Sequence, residues 1–388
     1  MLAAWNEGVV SCSNGIAIPD SLAELFGLEE DEQAQIVLSF GYPARAGPGS
    51  ARARGAVAPG GPRAARGGRA APVGALVPAT GRYAVQGAQV RAGLELWASR
   101  AGTRLVVEDD RSQPSRAARL HAEPYGSDSA RAVAAVRPGA VIWNHGAAAD
   151  DVQRLPGVVS VPSPASRYLV ALGRAVAALR PAATIALVTA TGRFAGFARE
   201  GLERAAPTLG VGILARFSFR DPPAAVAAAG ADAILVCGPL RAEVMLFRAL
   251  ARLTPSTLRG GISPGLAAFP ALLGTDPDGL LAPVQWHPQT RPSLELGPSS
   301  AELAADARAS ALGELDYLAA QAYAAALIAG RCLELDPDDP LSAARRLRTT
   351  TFFGAFELDP ATGLQRGHRL SVIRWSRTRQ QLLLTEAS

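Results

Sequence analysis

Three short polar stretches hold the residues of this chain that are best suited to binding a small molecule. They occupy residues 80–83 (TGRY), 125–129 (YGSDS) and 143–147 (WNHGA), at points where a buried strand should end. In an open parallel sheet the carboxyl ends of the strands form the crevice where ligands bind. Hydroxyls, glycines and backbone N–H groups gathered there can hydrogen-bond a small polar molecule. These stretches therefore predict a ligand site.

Hydrolytic chemistry is the main alternative for the same residues. The serines at 127 and 129 have His145 and Asp150 downstream, but the chain contains no G-x-S-x-G elbow that would hold a serine nucleophile in a strained turn. The acidic pairs 109–110 and 150–151 are adjacent neighbours whose side chains diverge, which suits strand ends and helix caps better than acid/base catalysis. We predict no catalytic residue and no enzyme.

Metal, cofactor and nucleic-acid sites are also disfavoured. The three cysteines, Cys12, Cys237 and Cys332, lie far apart in apolar contexts and lack metal-ligand spacing. The net charge of +5 comes from arginine, because the chain contains no lysine, and the arginines are scattered or lie between residues 45 and 69. A DNA-binding surface would instead gather them on one face. We expect no metal, no cofactor and no nucleic-acid partner.

Composition divides the chain into three parts. Residues 1–45 are well mixed and predict a helix at 21–26 and a strand at 36–40. Residues 46–71 are mostly Gly, Pro, Ala and Arg with little to bury, which predicts a disordered linker. From Pro72 onward, strands and helices alternate, a pattern typical of an α/β fold with parallel sheets.

The alternation contains one gap. The predicted helix at 115–121 is followed almost at once by the polar stretch 125–129, so the strand that should separate two helices has no residues to form it. The sequence therefore indicates a deleted strand. The predicted strands are 73–77, 104–108, 140–143, 158–161, 184–188, 212–217 and 233–237, and the predicted helices are 87–99, 115–121, 168–179, 194–206, 223–229 and 242–250.

From Pro72 to Ser388 the chain resembles the type I periplasmic-binding-protein family, in particular the branched-chain amino acid, amide and urea receptors of ABC transporters. The resemblance rests on the order and spacing of several strings: VGALVPATGRYAVQG, VVEDD, PYGSDSARAV, WNHGAAADD, VTATGRFAGFAREGLE, ILVCGPLRAEVMLFRAL, DYLAAQAYAAALIAG and TTTFFGAFELDPATG. It implies two Rossmann-like lobes that are joined by a hinge and close on a ligand. Lobe one would comprise residues 72–162 and 286–347, and lobe two residues 163–285 and 349–388.

The resemblance also implies a set of ligand contacts in lobe one. Ser127 and Ser129 match serines that hold a ligand's carboxylate or amide oxygen. Gly146 and Ala147 match a segment whose backbone N–H groups assist those serines.

Other positions complete the expected site. Tyr83 and Gln86 on the first loop would cover the ligand, and Phe194 would pack on it from lobe two. Asp128 either orients the site or caps the following helix. His145 either contributes to the site or forms a structural hydrogen bond.

The expected ligand is a small polar molecule. Amino-acid receptors of this family place an acidic residue after a lobe-two strand to pair the ligand's ammonium, but Ile262 or Ser263 stands there in this chain. A buried ammonium without a partner is costly, so an amide, a urea-like molecule or an aromatic acid fits as well as an amino acid. We predict a receptor that delivers such a ligand to an ABC transporter permease. The alternative is a cytoplasmic ligand sensor of the same fold.

Residues 1–45 resemble the C-terminal part of FMN-dependent nitroreductases, through AAWNEGVVSCSNGIA and IVLSFGYPARA. Gly8, Ser11 and Asn14 would then lie near a flavin, but so small a fragment predicts no working flavoenzyme, and a flavin-dependent fusion remnant is the last alternative. No signal segment precedes Pro72. The expected location is the periplasm or cell surface by resemblance, and the cytoplasm as the sequence is written.

Overall fold

The computed structural model describes residues 10–14, 37–41, 73–120, 125–136, 139–310, 312 and 314–385. Its contacts divide the chain into two units, Met1–Arg69 and Ala70–Ser388. In the first unit, β1 (Val10–Asn14) pairs antiparallel with β2 (Val37–Gly41), close to the predicted strand at 36–40. Ser11 and Asn14 lie on β1, whereas Gly8, the predicted helix at 21–26 and the predicted linker lie outside the described residues.

The second unit begins with two small parallel sheets, which together with the helices packed on them we call lobe one. β3 (Val73–Val77) pairs with β4 (Leu105–Asp109), and β5 (Ile142–Asn144) pairs with β6 (Val158–Ser160). The described strands do not join these pairs into one sheet. The break falls where the sequence indicates a deleted strand, and residues 121–124 lie outside the described part. The helices are α1 (Ala84–Ala101), α2 (Pro114–Leu120), α3 (Ser127–Val136) and α4 (Asp150–Gln153).

A seven-stranded sheet forms the centre of what we call lobe two, in the order β15-β14-β11-β10-β9-β7-β8. The first five of its strands along the chain are parallel, as predicted, but the C-terminal hairpin adds two antiparallel strands. A hairpin needs only a short turn, whereas a parallel strand needs a crossover. The strands are β7 (Thr184–Thr189), β8 (Gly212–Phe217), β9 (Ala233–Cys237), β10 (Leu258–Gly261), β11 (Leu281–Val284), β14 (Ser371–Ser376) and β15 (Arg379–Thr385).

Strand β9 lies inside this sheet, and all five of its residues are buried. An unbroken apolar run is typical of a parallel strand that is covered on both faces. The neighbouring β7 shows the two faces, because Ile185 and Leu187 pack into one core cluster while Ala186 and Val188 pack into another. The helices around the sheet are α5 (Tyr168–Leu179), α6 (Arg193–Leu209), α7 (Pro223–Ala228), α8 (Leu240–Leu253) and α9 (Phe269–Leu273).

Three later helices precede the C-terminal hairpin: α10 (Ser300–Ala309), α11 (Tyr317–Leu335) and α12 (Pro340–Arg346). By length and composition α11 could cross a membrane, but 56% of its apolar window is buried inside the protein, as expected of a core helix. It packs against α1 so closely that a Cβ at Gly93 would overlap the backbone of Ala319. This contact places α11 in lobe one.

A short antiparallel hairpin, β12 (Thr349–Thr351) and β13 (Gly354–Phe356), follows α12. The sequence analysis placed these residues in lobe two. In the structure, Phe352 packs edge-on against Trp286 and Tyr323. The hairpin therefore contacts the part of the chain that includes α11.

The chain passes between the lobes at segments that meet at Ser163. The Ser163 N–H donates to the Gln285 Oε1 atom at 3.0 Å, and the Gln285 amide nitrogen donates back to the Ser163 carbonyl at 3.3 Å. The Ser163 hydroxyl lies 2.9 Å from the His368 Nδ1 atom. All three residues are buried, so these hydrogen bonds tie the connecting segments together inside the protein.

Candidate functional site

The loops that the sequence predicts to bind a ligand lie at the carboxyl ends of parallel strands. In lobe one, β3 ends at Val77, just before the stretch 80–83, and β5 ends at Asn144, inside the stretch 143–147. In lobe two, β9 ends at Cys237, β10 at Gly261 and β11 at Val284. The strands therefore end where the sequence predicts, and loops follow their carboxyl ends in both lobes.

The three polar stretches of lobe one meet through a chain of rings. Tyr83 and Tyr125 contact edge-on with centroids 5.5 Å apart, and Tyr125 stacks near His145 at 6.4 Å. A Cβ at Gly146 would overlap the Tyr125 ring. The sequence analysis names Tyr83, His145 and Gly146 but not Tyr125 as a site residue.

The backbone N–H groups of Gly146 and Ala147 are already hydrogen-bonded. Both donate to the Asn144 Oδ1 atom, at 3.1 and 2.7 Å, and the Asn144 amide donates to the Ala147 carbonyl and to Ser160. An asparagine that bonds the backbone two and three residues ahead is a common turn motif. A ligand that used these N–H groups would have to displace the Asn144 side chain.

The 125–129 stretch enters helix α3. The Ser127 hydroxyl accepts a hydrogen bond from the Ala149 N–H at 3.2 Å, which joins this stretch to the third one. Ser129 is buried. Asp128 lies in the first turn rather than at the cap, and its side chain pairs with Arg82 at 3.4 Å while remaining 60% exposed. Such an exposed pair contributes little to stability.

Tyr83 and Gln86 stand at the start of α1. The Tyr83 N–H donates to the Ser112 hydroxyl at 3.1 Å, and the Arg82 guanidinium lies 4.7 Å from the centre of the Tyr83 ring. Burial raises the pKa of Tyr83. Gln86 is buried, and its Oε1 atom has no hydrogen-bond partner within the described residues. That oxygen can accept a hydrogen bond from a ligand or a water.

Lobe two contributes an aromatic pair. The predicted Phe194, at the start of α6, meets Tyr168 edge-on with centroids 5.1 Å apart. Tyr168 begins α5, and its hydroxyl accepts a hydrogen bond from the Gln285 amide at 2.6 Å. The sequence analysis did not name Tyr168 or Gln285, because only the folded chain brings these two residues together.

Three buried tyrosine hydroxyls, from both lobes, keep their protons. Burial raises the pKa of Tyr125 and Tyr317 well above the usual value, and it also raises the pKa of Tyr168. Tyr125 and Tyr317 belong to lobe one and Tyr168 to lobe two. All three phenols are therefore neutral at physiological pH.

Two carboxyl groups, those of Glu243 and Asp316, are buried, and backbone N–H groups bind both of them. Glu243 accepts hydrogen bonds from the Gly238 N–H at 2.8 Å and the Ser263 N–H at 2.7 Å, and burial raises its pKa to about 7. Asp316 caps α11 by accepting the Leu318 N–H at 2.8 Å, and burial raises its pKa to about 6. Neither group offers an uncommitted carboxylate to a ligand's ammonium.

Side chains of lobe two also contact lobe one directly. The Asp151 carboxylate of lobe one accepts hydrogen bonds from Arg131 in the same lobe and from Arg193 of α6 in lobe two, each at 2.5 Å. Burial raises the pKa of Asp151, but the two guanidinium groups outweigh it and the pKa lies below its usual range. Phe197 of α6 also packs against the lobe-one cluster that includes Ala147.

Metal binding has no support in the described part of the chain. No group of three or more His, Cys, Asp or Glu side chains there is placed to hold a metal ion. Cys237 and Cys332 are buried free thiols, and burial raises the pKa of both. They are structural side chains.

Most of the chain matches a known protein family. Residues 71–378 match the family model described as periplasmic binding protein. No curated protein matches the sequence at a significant level.

Several solved structures have the same fold. A solute-binding protein of an ABC transporter from R. palustris, in complex with 4-hydroxybenzoate, is 16% identical with a TM-score of 0.68, over 81% of this chain and 96% of that one. A leucine-binding protein from Thermotoga maritima is 14% identical with a TM-score of 0.69, over 81% and 98%. A leucine-, isoleucine-, valine-, threonine- and alanine-binding protein from Brucella ovis, in a closed conformation, is 12% identical with a TM-score of 0.70, over 82% and 95%.

Proposed function

Because the chain belongs to the periplasmic binding protein family, whose members are solute receptors of ABC transporters and not enzymes, we propose that it binds a small aromatic carboxylic acid between its lobes. The observation that carries this proposal is the set of rings at the cleft. Lobe one contributes Tyr83, Tyr125 and His145, and lobe two contributes Tyr168 and Phe194. Aromatic side chains favour edge-on and offset contacts with a flat ring.

The charges at the cleft disfavour an α-amino acid. Both oxygens of Glu243 accept backbone N–H groups, and Asp316 is used as a helix cap. A ligand ammonium buried beside them would lack a dedicated partner, which is costly. Neutral phenols and serine hydroxyls can instead hydrogen-bond a carboxylate. Solved structures of this fold include a 4-hydroxybenzoate complex and leucine-binding proteins, so the choice between these ligand classes rests on the side chains of this chain.

The predicted contacts supply the polar part of the site in this proposal. Ser127 and Ser129 would receive the carboxylate, and the backbone N–H groups of Gly146 and Ala147 would join them on displacing the Asn144 side chain. Gln86 would accept a hydrogen bond from a ring hydroxyl, because its Oε1 atom has no partner within the described residues. Asp128 is exposed and would contribute through Arg82 rather than by contact.

Binding would be coupled to hinge closure. A ligand that touches both lobes binds the closed form better and shifts the population toward it. The Asp151 contacts to Arg193 exist only when the lobes approach each other. The closed form would then be recognised by an ABC transporter permease at the outer side of the membrane.

The proposal is tested by isothermal titration calorimetry on the full chain with benzoate, 4-hydroxybenzoate, leucine, benzamide and urea. We expect the two aromatic acids to bind and leucine not to bind. The same acids should raise the melting temperature, because a ligand at 100 times its Kd stabilises the folded form by about 2.7 kcal/mol. Binding of leucine without the aromatic acids would overturn the proposed ligand class, and cooperative unfolding with no binding at all would overturn the receptor function for these solutes.

A further inference from the structure

We propose that Gln285 fixes the Tyr168 hydroxyl as a hydrogen-bond donor to the bound ligand, so that this pair selects a ligand with an acceptor oxygen facing lobe two. Tyr168 would be a ligand-binding residue and Gln285 a positioning residue that acts through it. The inference rests on the proposed function and adds the specificity element that lobe two supplies.

The orientation of the Gln285 amide is determined by its neighbours. The Ser163 N–H can only donate, so the Gln285 atom 3.0 Å from it must be the oxygen. The nitrogen then faces the Tyr168 hydroxyl at 2.6 Å and the Ser163 carbonyl at 3.3 Å. Flipping the amide would place two donors against each other at Ser163, and two acceptors at its carbonyl.

The fixed amide determines what the Tyr168 hydroxyl can do. Because the Gln285 nitrogen donates, the Tyr168 oxygen accepts, and the phenolic hydrogen remains available. Within the described residues that hydrogen has no acceptor, although only 4% of Tyr168 is exposed. A buried donor without an acceptor is unfavourable, so a ligand oxygen placed there would be favoured.

The position of Tyr168 directs its hydroxyl to the cleft. Gln285 directly follows β11, at the carboxyl edge of the lobe-two sheet, and the Tyr168 ring meets Phe194 at the start of α6. Tyr317 of lobe one lies at the same edge, because a Cβ built at Gly265 would contact both the Val284 side chain, at 3.1 Å, and the Tyr317 ring, at 3.4 Å. The Tyr168 hydroxyl, which is bonded to Gln285, therefore lies at the edge of lobe two that contacts lobe one.

The hydroxyl also keeps its proton. Burial raises the pKa of Tyr168, and this effect exceeds the lowering by the hydrogen bond from Gln285. The phenol is therefore a donor at neutral pH, where a carboxylic acid ligand is ionised. A carboxylate is the stronger partner for such a donor, because hydrogen bonds to charged groups are stronger than those between neutral groups.

The first test compares Tyr168→Phe with Tyr323→Phe by calorimetric titration with benzoate. Tyr323 is similarly buried but packs against Phe352 in the core, so it controls for the loss of a phenol outside the cleft. We expect Tyr168→Phe to weaken benzoate binding at least tenfold and Tyr323→Phe to leave it within twofold. Melting temperatures of both variants establish that they fold.

The second test is a double-mutant cycle that adds Gln285→Met in the wild-type and Tyr168→Phe backgrounds. If Gln285 acts through the Tyr168 hydroxyl, Gln285→Met weakens benzoate binding in the wild type and has little further effect once that hydroxyl is gone. A merely structural role would give equal losses in the two backgrounds.

The outcomes separate the two proposals. Benzoate binding by the wild type with unchanged affinity in Tyr168→Phe overturns this inference and leaves the proposed function standing. A weakened Tyr168→Phe with additive losses in the cycle overturns the role of Gln285. Failure of the folded wild type to bind benzoate overturns the proposed function, and the inference with it.

Discussion

At the residue scale, Gly146 is the position where the site leaves no room for a side chain. A Cβ there would overlap the Tyr125 ring, which joins Tyr83 to His145. We expect Gly146→Ala to displace that ring, to weaken benzoate binding by about tenfold, and to lower the free energy of unfolding by about 1–3 kcal/mol, as overpacking does. Calorimetric titration and urea unfolding measure the two effects.

The matched control is Gly196→Ala in helix α6, where nothing lies within 4 Å of an added Cβ. That change should stabilise the protein by about 0.5–1 kcal/mol, because glycine is unfavourable inside a helix. It should not alter binding. If Gly146→Ala behaved like this control, the packing of Tyr125 on the glycine would be unimportant for the site.

His368 gives the hinge a dependence on pH. Its Nε2 atom lies 3.1 Å from the Phe353 carbonyl and must carry the hydrogen, so the Nδ1 atom is unprotonated and accepts from Ser163. Burial lowers the pKa of His368 to about 3. The unfolded chain binds a proton near pH 6.5 and the folded chain does not, so the stability from this group is complete above pH 6.5 and is lost as the pH falls toward 3.

We therefore expect the wild type to lose about 2 kcal/mol relative to His368→Gln between pH 7 and pH 5, which is about 1.5 pH units at 1.36 kcal/mol each. Urea unfolding of both proteins at each pH measures this difference. The comparison cancels the opposite contributions of Glu243 and Asp316, whose raised pKa values, about 7 and about 6, lower stability as the pH rises. Parallel pH profiles would show that His368 does not titrate in this window.

Sequence reasoning named the candidate site residues whose signal is local. Tyr83 and His145 follow predicted strands, Ser127 follows the position where a strand is missing, and the structure brings the three stretches together. It did not name Tyr168 and Gln285, which are 117 residues apart and meet only in the folded chain. In the sequence, neither the helix start at Tyr168 nor the strand end before Gln285 indicates that the two residues meet.

At the element scale, strongly patterned segments were predicted to the residue. Strands 212–217 and 233–237 and the helix 168–179 have the predicted bounds. The C-terminal hairpin was not recognised as antiparallel, because its turn at Arg377 and Thr378 lacks the glycine that marks most two-residue hairpins. Arg377 itself adopts the left-handed conformation, with φ of 50°.

Helix α6 carries an exposed ion pair between the two lobes. Arg193 pairs with Asp151 across the lobes, and its side chain is 58% exposed. We expect Arg193→Ala to favour the open form and weaken ligand binding by about two- to fivefold, since an exposed pair is worth up to about 1 kcal/mol. The effect should shrink in high salt, which screens exposed charges.

Arg204→Ala is the control on the same helix, because Arg204 pairs only weakly, at 4.0 Å, with Glu200 of α6 itself. Titrations of both variants at low and high salt measure the difference. Equal affinities for the two variants would mean that the Arg193 contact does not contribute to closure.

At the scale of the whole molecule, the two lobes differ in how their sheets are completed. Lobe two has one seven-stranded sheet, whereas the described strands of lobe one form two separate pairs. An isolated pair of strands is marginally stable, so the lobe-one pairs depend on the core they share, in which Leu76 of β3 packs with Ile142 of β5. The rings of Tyr83, Tyr125 and His145 lie in the same lobe, so their positions depend on these two pairs of strands.

We expect that supplying the strand which the sequence indicates is missing would stabilise lobe one. We expect a valine-rich strand of about six residues, inserted with polar turns between Leu120 and Tyr125, to pair with β3 and β5 and raise the melting temperature by about 1–2 °C, as a gain of about 1 kcal/mol does in a protein of this size. A Gly/Ser insertion of the same length is the control and should leave the melting temperature unchanged or lower it. Scanning calorimetry decides between them: if both insertions had the same effect, no strand position would be open between β3 and β5, and the lobe would be complete with its two separate pairs.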